Sequence, residues 1–250
     1  AVQREDAGRG GSKAIHNTFE LGATVQAYAP KSEFPLIQDD SHKVLIAGGI
    51  GITPMLSMLR ELAENNASFE IHYSARSEAD LAFKEEVKAL AGERAFFYAS
   101  QEPNGTSLDL DELMKKHSEL ADTQVYLCGP QGLIKRVREL ASEYAWAEHR
   151  IHFESFGASA QTGDRAIEVH LKKSNQVVMV EPKQSILDAL SEHKVAVPYD
   201  CKRGECGLCA TTLIAGEADH RDFYLTQEEQ KHQLCLCVSR AKTDSLTLDL

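Results

Sequence analysis

Cysteine spacing is the strongest chemical signal in this sequence. Cys201, Cys206 and Cys209 follow the pattern Cys-x4-Cys-x2-Cys, and Cys237 comes after 27 intervening residues. Four thiolates at this plant-type spacing can hold a [2Fe–2S] cluster. A loop wrapped round two irons and two sulfides needs positive-φ backbone and amides turned toward sulfur, which Gly204 and Gly207 permit. Structural zinc sites usually show Cys-x2-Cys pairs at both ends, so zinc and unligated core thiols are the lesser readings. Cys235 sits two residues before Cys237, and alternation along a strand would turn both to one face. Spacing alone therefore leaves the fourth ligand between them.

Two glycine-rich segments could hold phosphate. Gly48, Gly49 and Gly51, with Ile52, Thr53 and Pro54, lie between an apolar run and a helical pattern. Thr53 is expected as N-cap and Pro54 as first helical residue, leaving amides and the positive helix end for a pyrophosphate. The turn is not the Gly-x-Gly-x-x-Gly fingerprint, and a purely structural turn is the competing reading. Cys128, Gly129 and Pro130 stand at a second strand-to-helix junction, so both loops could meet at the carboxyl ends of strands in one crevice. A buried core thiol is the alternative for Cys128. Arg9, Gly10, Gly11 and Ser12 form the other glycine-rich segment, read as a phosphate loop or a plain flexible one. The ten histidines show no His-x-x-x-His pairing, and no nucleophile signature occurs.

The chain that must position these groups has 250 residues, 42% hydrophobic and 26% charged, which suits a globular chain of two compact domains. A formal charge of −11 with no basic run argues against a nucleic-acid partner. The longest apolar stretches, such as 44–52, fall well short of the roughly 20 residues that cross a bilayer. No charged-then-apolar leader opens the sequence at Ala1, so a cytoplasmic, membrane-free protein with reduced cysteines is expected.

From Lys43 onward, strand and helix patterns alternate. Strands are expected at 44–47, 69–74, 95–100, 124–128 and 152–156, with helices at 53–65, 78–91, 110–120 and 131–144. Such repeated units predict an α/β domain with a parallel sheet over residues 40–156. Residues 157–166 are small and polar, as in a linker. Residues 167–250 read as a small α+β module, with a hairpin at 167–180, a capped helix at 185–193 and a last strand ending at Leu250. Residues 1–39 hold two strand patterns, 1–5 and 24–28, too little for a core of their own. They are expected to be the closing part of a β domain whose earlier strands lie before Ala1.

Together these motifs resemble the reductases of the phthalate dioxygenase reductase type, which serve Rieske oxygenases. In that family one chain joins a flavin-binding β-barrel, an NADH-binding α/β domain and a plant-type ferredoxin domain. The resemblance assigns the 1–12 segment, including Arg9 to Ser12, to FMN phosphate, and the Gly48 to Pro54 loop to nicotinamide. It places Ser74 and Arg76 on the adenosine side, Cys128 to Pro130 near hydride transfer, and Phe156 against the flavin. Thr53, Cys128 and Phe156 are thereby implied nearest the redox chemistry, and Cys237 is favoured over Cys235 as the fourth ligand. A flavin is required on chemical grounds, because NADH gives a two-electron hydride whereas a [2Fe–2S] cluster takes one electron. The implied function is an NADH-dependent oxidoreductase that passes electrons through FMN and [2Fe–2S] to a Rieske-type oxygenase, working as a monomer. The alternative is a ferredoxin-type carrier with a non-catalytic nucleotide-binding domain. Arg76, the one Arg of this segment, is set against the acidic Glu78 and Asp80, which suits a free ribose better than a 2′-phosphate and favours NADH.

Overall fold

A computed structural model describes the whole chain except Ala7, Arg9, Asn104, Ala121, residues 158–160 and Thr162. Its contacts divide into two compact units, Ala1–Phe156 and Gly157–Leu250.

The first unit is built on a five-stranded sheet. Strands β1 (His42–Gly48), β2 (Phe69–Ala75), β3 (Ala95–Ala99), β4 (Thr123–Cys128) and β5 (Ile151–Glu154) lie in the order β3-β2-β1-β4-β5. Every pairing is parallel. The alternation of β1 and β4 sends Leu45, Ala47, Tyr126 and Cys128 into one core, together with Leu56 and Leu59 of helix α2 (Ile52–Glu64) and Val87 of α3 (Lys84–Ala91). Their neighbours Val44, Ile46, Val125 and Leu127 are equally buried and face the opposite side. There α4 (Leu110–Ser118) and α5 (Gln131–Glu143) bring Met114, Ile134 and Val137. Order reverses between β1 and β4, where consecutive right-handed crossovers put helices on different faces.

The structure corrects two expectations here. The helix expected over 78–91 is interrupted: Glu78–Asp80 forms a 3-10 turn and Phe83 takes a left-handed φ of 59° before α3 begins. Leu81 sits buried in the α2-side core, so tertiary burial overrides the helical pattern. Nor do residues 1–5 and 24–28 form strands. No described residue before His42 pairs in a sheet, and the side chains of both segments are exposed. A strand needs a neighbour for its backbone groups, and no described residue pairs with either segment in a sheet. Instead α1 (Gly11–Thr18) forms, with the Glu5 N–H donating to Ser12 Oγ at 3.0 Å and a His16 ring nitrogen 2.7 Å from the Val2 carbonyl. Farther on, Phe34 and Leu36 pack on the α2-side core, and the Ile37 N–H donates to Tyr126 Oη at 2.9 Å.

The second unit contains strands β6 (Ile167–Leu171), β7 (Gln176–Val180), β8 (Ala210–Ala215), β9 (Ala218–Asp219), β10 (Gln233–Cys235), β11 (Arg240–Ala241) and β12 (Ser245–Leu248). The main sheet runs β10-β8-β12-β6-β7, with β9 and β11 as a separate pair. Helix α6 (Ile186–Glu192) starts at Ser185, whose hydroxyl accepts from the Asp188 N–H at 3.0 Å. Its Ile186, Leu187 and Leu190 join Val169, Leu234 and Leu246 in one core. Asp164, inside the expected linker, is paired to Arg221 with both side chains under 10% exposed. Arg165 gives its carbonyl to the buried Arg240 guanidinium. The described end of the 157–166 segment is therefore anchored.

Candidate functional site: a glycine crevice and a cysteine loop

The glycines after β1 are there because two backbones touch. In register, Ala47 sits beside Cys128, and Gly48 beside Ser74. A Cβ on Gly51 would lie 2.1 Å from the Cys128 carbonyl oxygen, and one on Gly48 would lie 2.7 Å from Pro130 Cδ. One on Gly129 would lie 3.0 Å from Gly48 Cα. The two loops thus converge where the sheet order reverses, at the carboxyl ends of β1 and β4. Both following helices, α2 and α5, begin there without a side-chain cap. Their first turns leave amide donors and positive dipole ends for an anionic ligand.

Thr53 is not the expected N-cap. A 3-10 turn over Gly49–Gly51 runs directly into α2, so the helix opens at Ile52, with Thr53 and Pro54 inside its first turn. The Thr53 hydroxyl donates to the Ile50 carbonyl at 3.0 Å and braces the turn. Cys128 is fully buried in the α2-side core. Its thiol thus occupies the position of a core residue, while Gly129 and Pro130 carry the loop outward. Ser74 donates to the Ala47 carbonyl at 3.4 Å, and Arg76 is exposed beyond the end of β2. Phe156, two residues past β5, is 51% exposed. Beside the ends of β2 and β3 lies a cavity of about 370 Å³ lined by Glu78, Phe97, Glu102 and Thr106, among others. Sequence reasoning missed it because its walls come from separate segments without a motif.

Of the N-terminal phosphate-loop residues, Gly10 takes φ 102° immediately before α1, while Gly11 and Ser12 form its uncapped first turn. Arg9 lies outside the described residues.

The cysteine loop is built from side chains. Cys201, Cys206 and Cys209 lie on an irregular segment leading into β8, and Cys237 lies just after β10. The Arg203 N–H donates to Cys201 Sγ at 3.3 Å. Burial raises the Cys201 thiol, but the Arg203, Glu205 and Cys206 amides outweigh it and hold the group below its ordinary range. Cys209 accepts from the Cys235 and Cys237 thiols and is brought down to about 3, while those two donors are pushed far up by that bond and by burial. Gly204 and Gly207 take φ 79° and 75°, and a Cβ on Gly207 would fall 2.2 Å from the Tyr224 ring. A side chain at either position would collide with residues packed against the loop, Val238 and Asp222 at Gly204 and Tyr224 at Gly207.

Strand alternation does not decide between Cys235 and Cys237, since β10 ends at Cys235 and Cys237 lies beyond the ladder. The difference is in their partners. Cys235 is entirely buried and in register with Ala210, whereas the Cys237 sulfur receives the Gly204 amide from the ligand loop itself. Contacts pair Cys201 with Cys206 and bring Cys209 against both Cys235 and Cys237, and amides point at the sulfurs. These residues fit a two-iron group that takes two thiolates per iron. Tyr199, Leu208 and Tyr224, each about half exposed, stand along the same loop.

Comparison with known proteins finds a family match in each of the two units. Residues 45–139 match the oxidoreductase NAD-binding domain family, and residues 169–242 match the 2Fe-2S iron-sulfur cluster binding domain family. The chain is 39% identical to the carnitine monooxygenase reductase subunit of Acinetobacter pittii, over all of this chain and 81% of that protein. It is 38% identical to phthalate dioxygenase reductase of Burkholderia cepacia, over all of this chain and 78% of that one. A solved phthalate dioxygenase reductase, described as a modular structure for electron transfer from pyridine nucleotides to [2Fe-2S], superposes with a TM-score of 0.73 at 38% identity. That structure covers 100% of this chain and is itself covered to 78%. Similarity at this level, over all of this chain and about four fifths of each relative, shows that the chain belongs to the phthalate dioxygenase reductase family of NADH-dependent oxidoreductases.

Proposed function

We propose that this chain takes electrons from NADH, passes them through FMN to a [2Fe–2S] cluster, and delivers them to an oxygenase of the Rieske type. The observation that carries this reading is the pairing, in one chain, of a glycine-built crevice at the sheet's switch point with a four-thiol loop whose amides face sulfur. When bound, the flavin takes electrons two at a time from hydride and releases them singly to the cluster.

The chain's own residues do the positioning. The α2 and α5 amino ends, with Gly48, Gly49, Gly51 and Gly129 between them, accept the pyrophosphate and nicotinamide side of NADH. Thr53 braces the Gly49–Gly51 turn through Ile50, and Cys128 supports the loop from inside the core. Ser74, Arg76 and the cavity at Glu78 and Glu102 take the adenosine side, where the two carboxylates disfavour a 2′-phosphate. Gly10, Gly11 and Ser12 hold the FMN phosphate within residues 1–39, the closing part of the flavin domain, and Phe156 covers the ring. Cys201, Cys206, Cys209 and Cys237 hold the cluster. The exposed Tyr199, Leu208 and Tyr224 give a partner an apolar landing next to it. Among the described residues no helix is long and apolar enough to cross a membrane.

The test is NADH-driven reduction of an artificial one-electron acceptor by the cluster-loaded protein supplemented with FMN, read beside iron, sulfide and bound flavin. Turnover that requires both FMN and iron is expected. Full iron and flavin occupancy with no NADH oxidation would leave the carrier-module reading instead.

A further inference from the structure

At the far end of the same sheet, the histidines that showed no pairing in sequence are gathered by the fold. His42 opens β1, Glu70 is the second residue of β2, and His117 lies in the last turn of α4. One ligand atom from each of the three falls within 4.8 Å of the others. His117 Nε2 is 2.8 Å from Glu70 Oε1, and His42 Nε2 is 3.9 Å from Glu70 Oε2. Since β1 has seven residues, this cluster stands roughly 20 Å from the glycine loops at the other strand end.

Each member is held from behind. His42 Nδ1 lies 2.8 Å from Ser68 Oγ, which turns Nε2 toward Glu70. Glu70 is also bonded by His72, at 3.0 Å, and His72 in turn by the Tyr98 hydroxyl, at 3.0 Å. Lys116 Nζ approaches Glu70 Oε2 at 3.7 Å, but its side chain is 61% exposed and free to turn into solvent. The hydrogen bonding nevertheless does not close. Among the described residues His117 Nδ1 is buried without a partner, and so is the hydroxyl of Thr123, the residue in register with His42 on β4.

We infer that His42, Glu70 and His117 form a binding site for a divalent transition-metal ion of the zinc type. Two imidazole nitrogens and one carboxylate oxygen are the donor set such ions take, whereas magnesium and calcium favour oxygen alone. The 2.8 and 3.9 Å separations bracket the spacing of donors about 2.0–2.2 Å from a shared centre, so small ring rotations suffice. Ser68 and His72 supply the outer hydrogen bonds that fix ligand orientation. The ion would tie β1 and β2 to α4, a structural role separate from the electron-transfer reading.

The test is calorimetric titration of zinc into the oxidised, cluster-loaded protein, with the visible spectrum followed to show that the cluster stays intact. One equivalent should bind, with thermal stability rising by mass action. In His42→Asn, a partly exposed position that should fold normally, and in Glu70→Gln, affinity should fall by about tenfold or more. His149→Asn, at an exposed residue outside the cluster, should bind as the parent does. Equal affinity in parent and His42→Asn would overturn the site, as would the absence of any site tighter than about 0.1 mM. Uptake that bleaches the cluster and is unchanged in His42→Asn would place zinc on the cysteines and equally refute it.

Discussion

Where β1 and β4 end, the groups facing a ligand are backbone amides, and the key residues matter for the side chain they lack. In the loop from Cys201 to Cys209 the atoms proposed to hold the cluster are side-chain sulfurs, and backbone amides only support them. The two regions should therefore fail in opposite ways. A backbone site tolerates exchanged side chains and breaks when an atom is added between its loops. A side-chain site breaks when one donor is exchanged for another of nearly the same shape.

The largest effect is expected from Cys237→Ser, which replaces a soft thiolate with a hard oxygen and should abolish the cluster or leave it unstable. Cys235→Ser, at a fully buried site, should keep iron and sulfide at a modest stability cost from the buried hydroxyl. Iron, sulfide and the reduced-cluster signal of both variants decide the matter. Loss in Cys235→Ser with retention in Cys237→Ser reverses the assignment, and retention in both means that the thiols substitute for one another.

The matching insult to the backbone site is Gly51→Ala. Its Cβ would meet the Cys128 carbonyl at 2.1 Å, so the loops must part. NADH-driven turnover should drop about tenfold or more, in line with roughly 1–3 kcal/mol of overpacking, while iron content stays unchanged. Gly132→Ala, where an added Cβ meets nothing within 4 Å, is the control and should leave turnover intact. Equal behaviour of the two variants would undo the claim that loop contact shapes this crevice.

Phe156→Ala tests whether a single exposed ring contributes to the flavin. Loss of one stacking partner is worth about 1 kcal/mol, so FMN affinity should fall about fivefold with cluster content unaltered. Titration of FMN by flavin fluorescence reads the change, and unchanged affinity would remove Phe156 from the site.

Thr53→Val should do least. Its hydroxyl serves the Ile50 carbonyl, so stability should fall by about 1 kcal/mol with the NADH KM within about twofold of the parent. A large loss in kcat at normal stability would show that the hydroxyl takes part in the redox step, and that the crevice is less purely a backbone site than its glycines suggest.

The iron-sulfur domain was legible in the sequence because Cys201, Cys206 and Cys209, its proposed ligands, fall within nine residues, where covalent geometry alone limits how far apart the sulfurs can lie. The alternating strands and helices of residues 42–154 were legible too, since hydrophobic periodicity is local and their ends fall within about two residues of expectation. The exception is the break at Phe83, where Leu81 turns into a core assembled from β1, β2 and α2.

What sequence could not reach depends on contacts between distant segments. Local residue type made Thr53 a cap, but the position of the preceding 3-10 turn moved the helix start to Ile52. The strand patterns at residues 1–5 and 24–28 have no sheet partner among the described residues, so periodicity without a neighbour left them unpaired. Only the fold shows why Gly51 is a glycine, because the atom it must avoid belongs to Cys128, 77 positions away. His42, Glu70 and His117 met for the same reason: parallel pairing and a crossover helix bring together residues that no spacing rule connects. Composition, periodicity and short-range spacing determined which elements form and which cofactor chemistry the chain can support. Tertiary structure decided which backbones touch and which polar groups are buried together, because those depend on register and packing across the sheet rather than on neighbours along the chain.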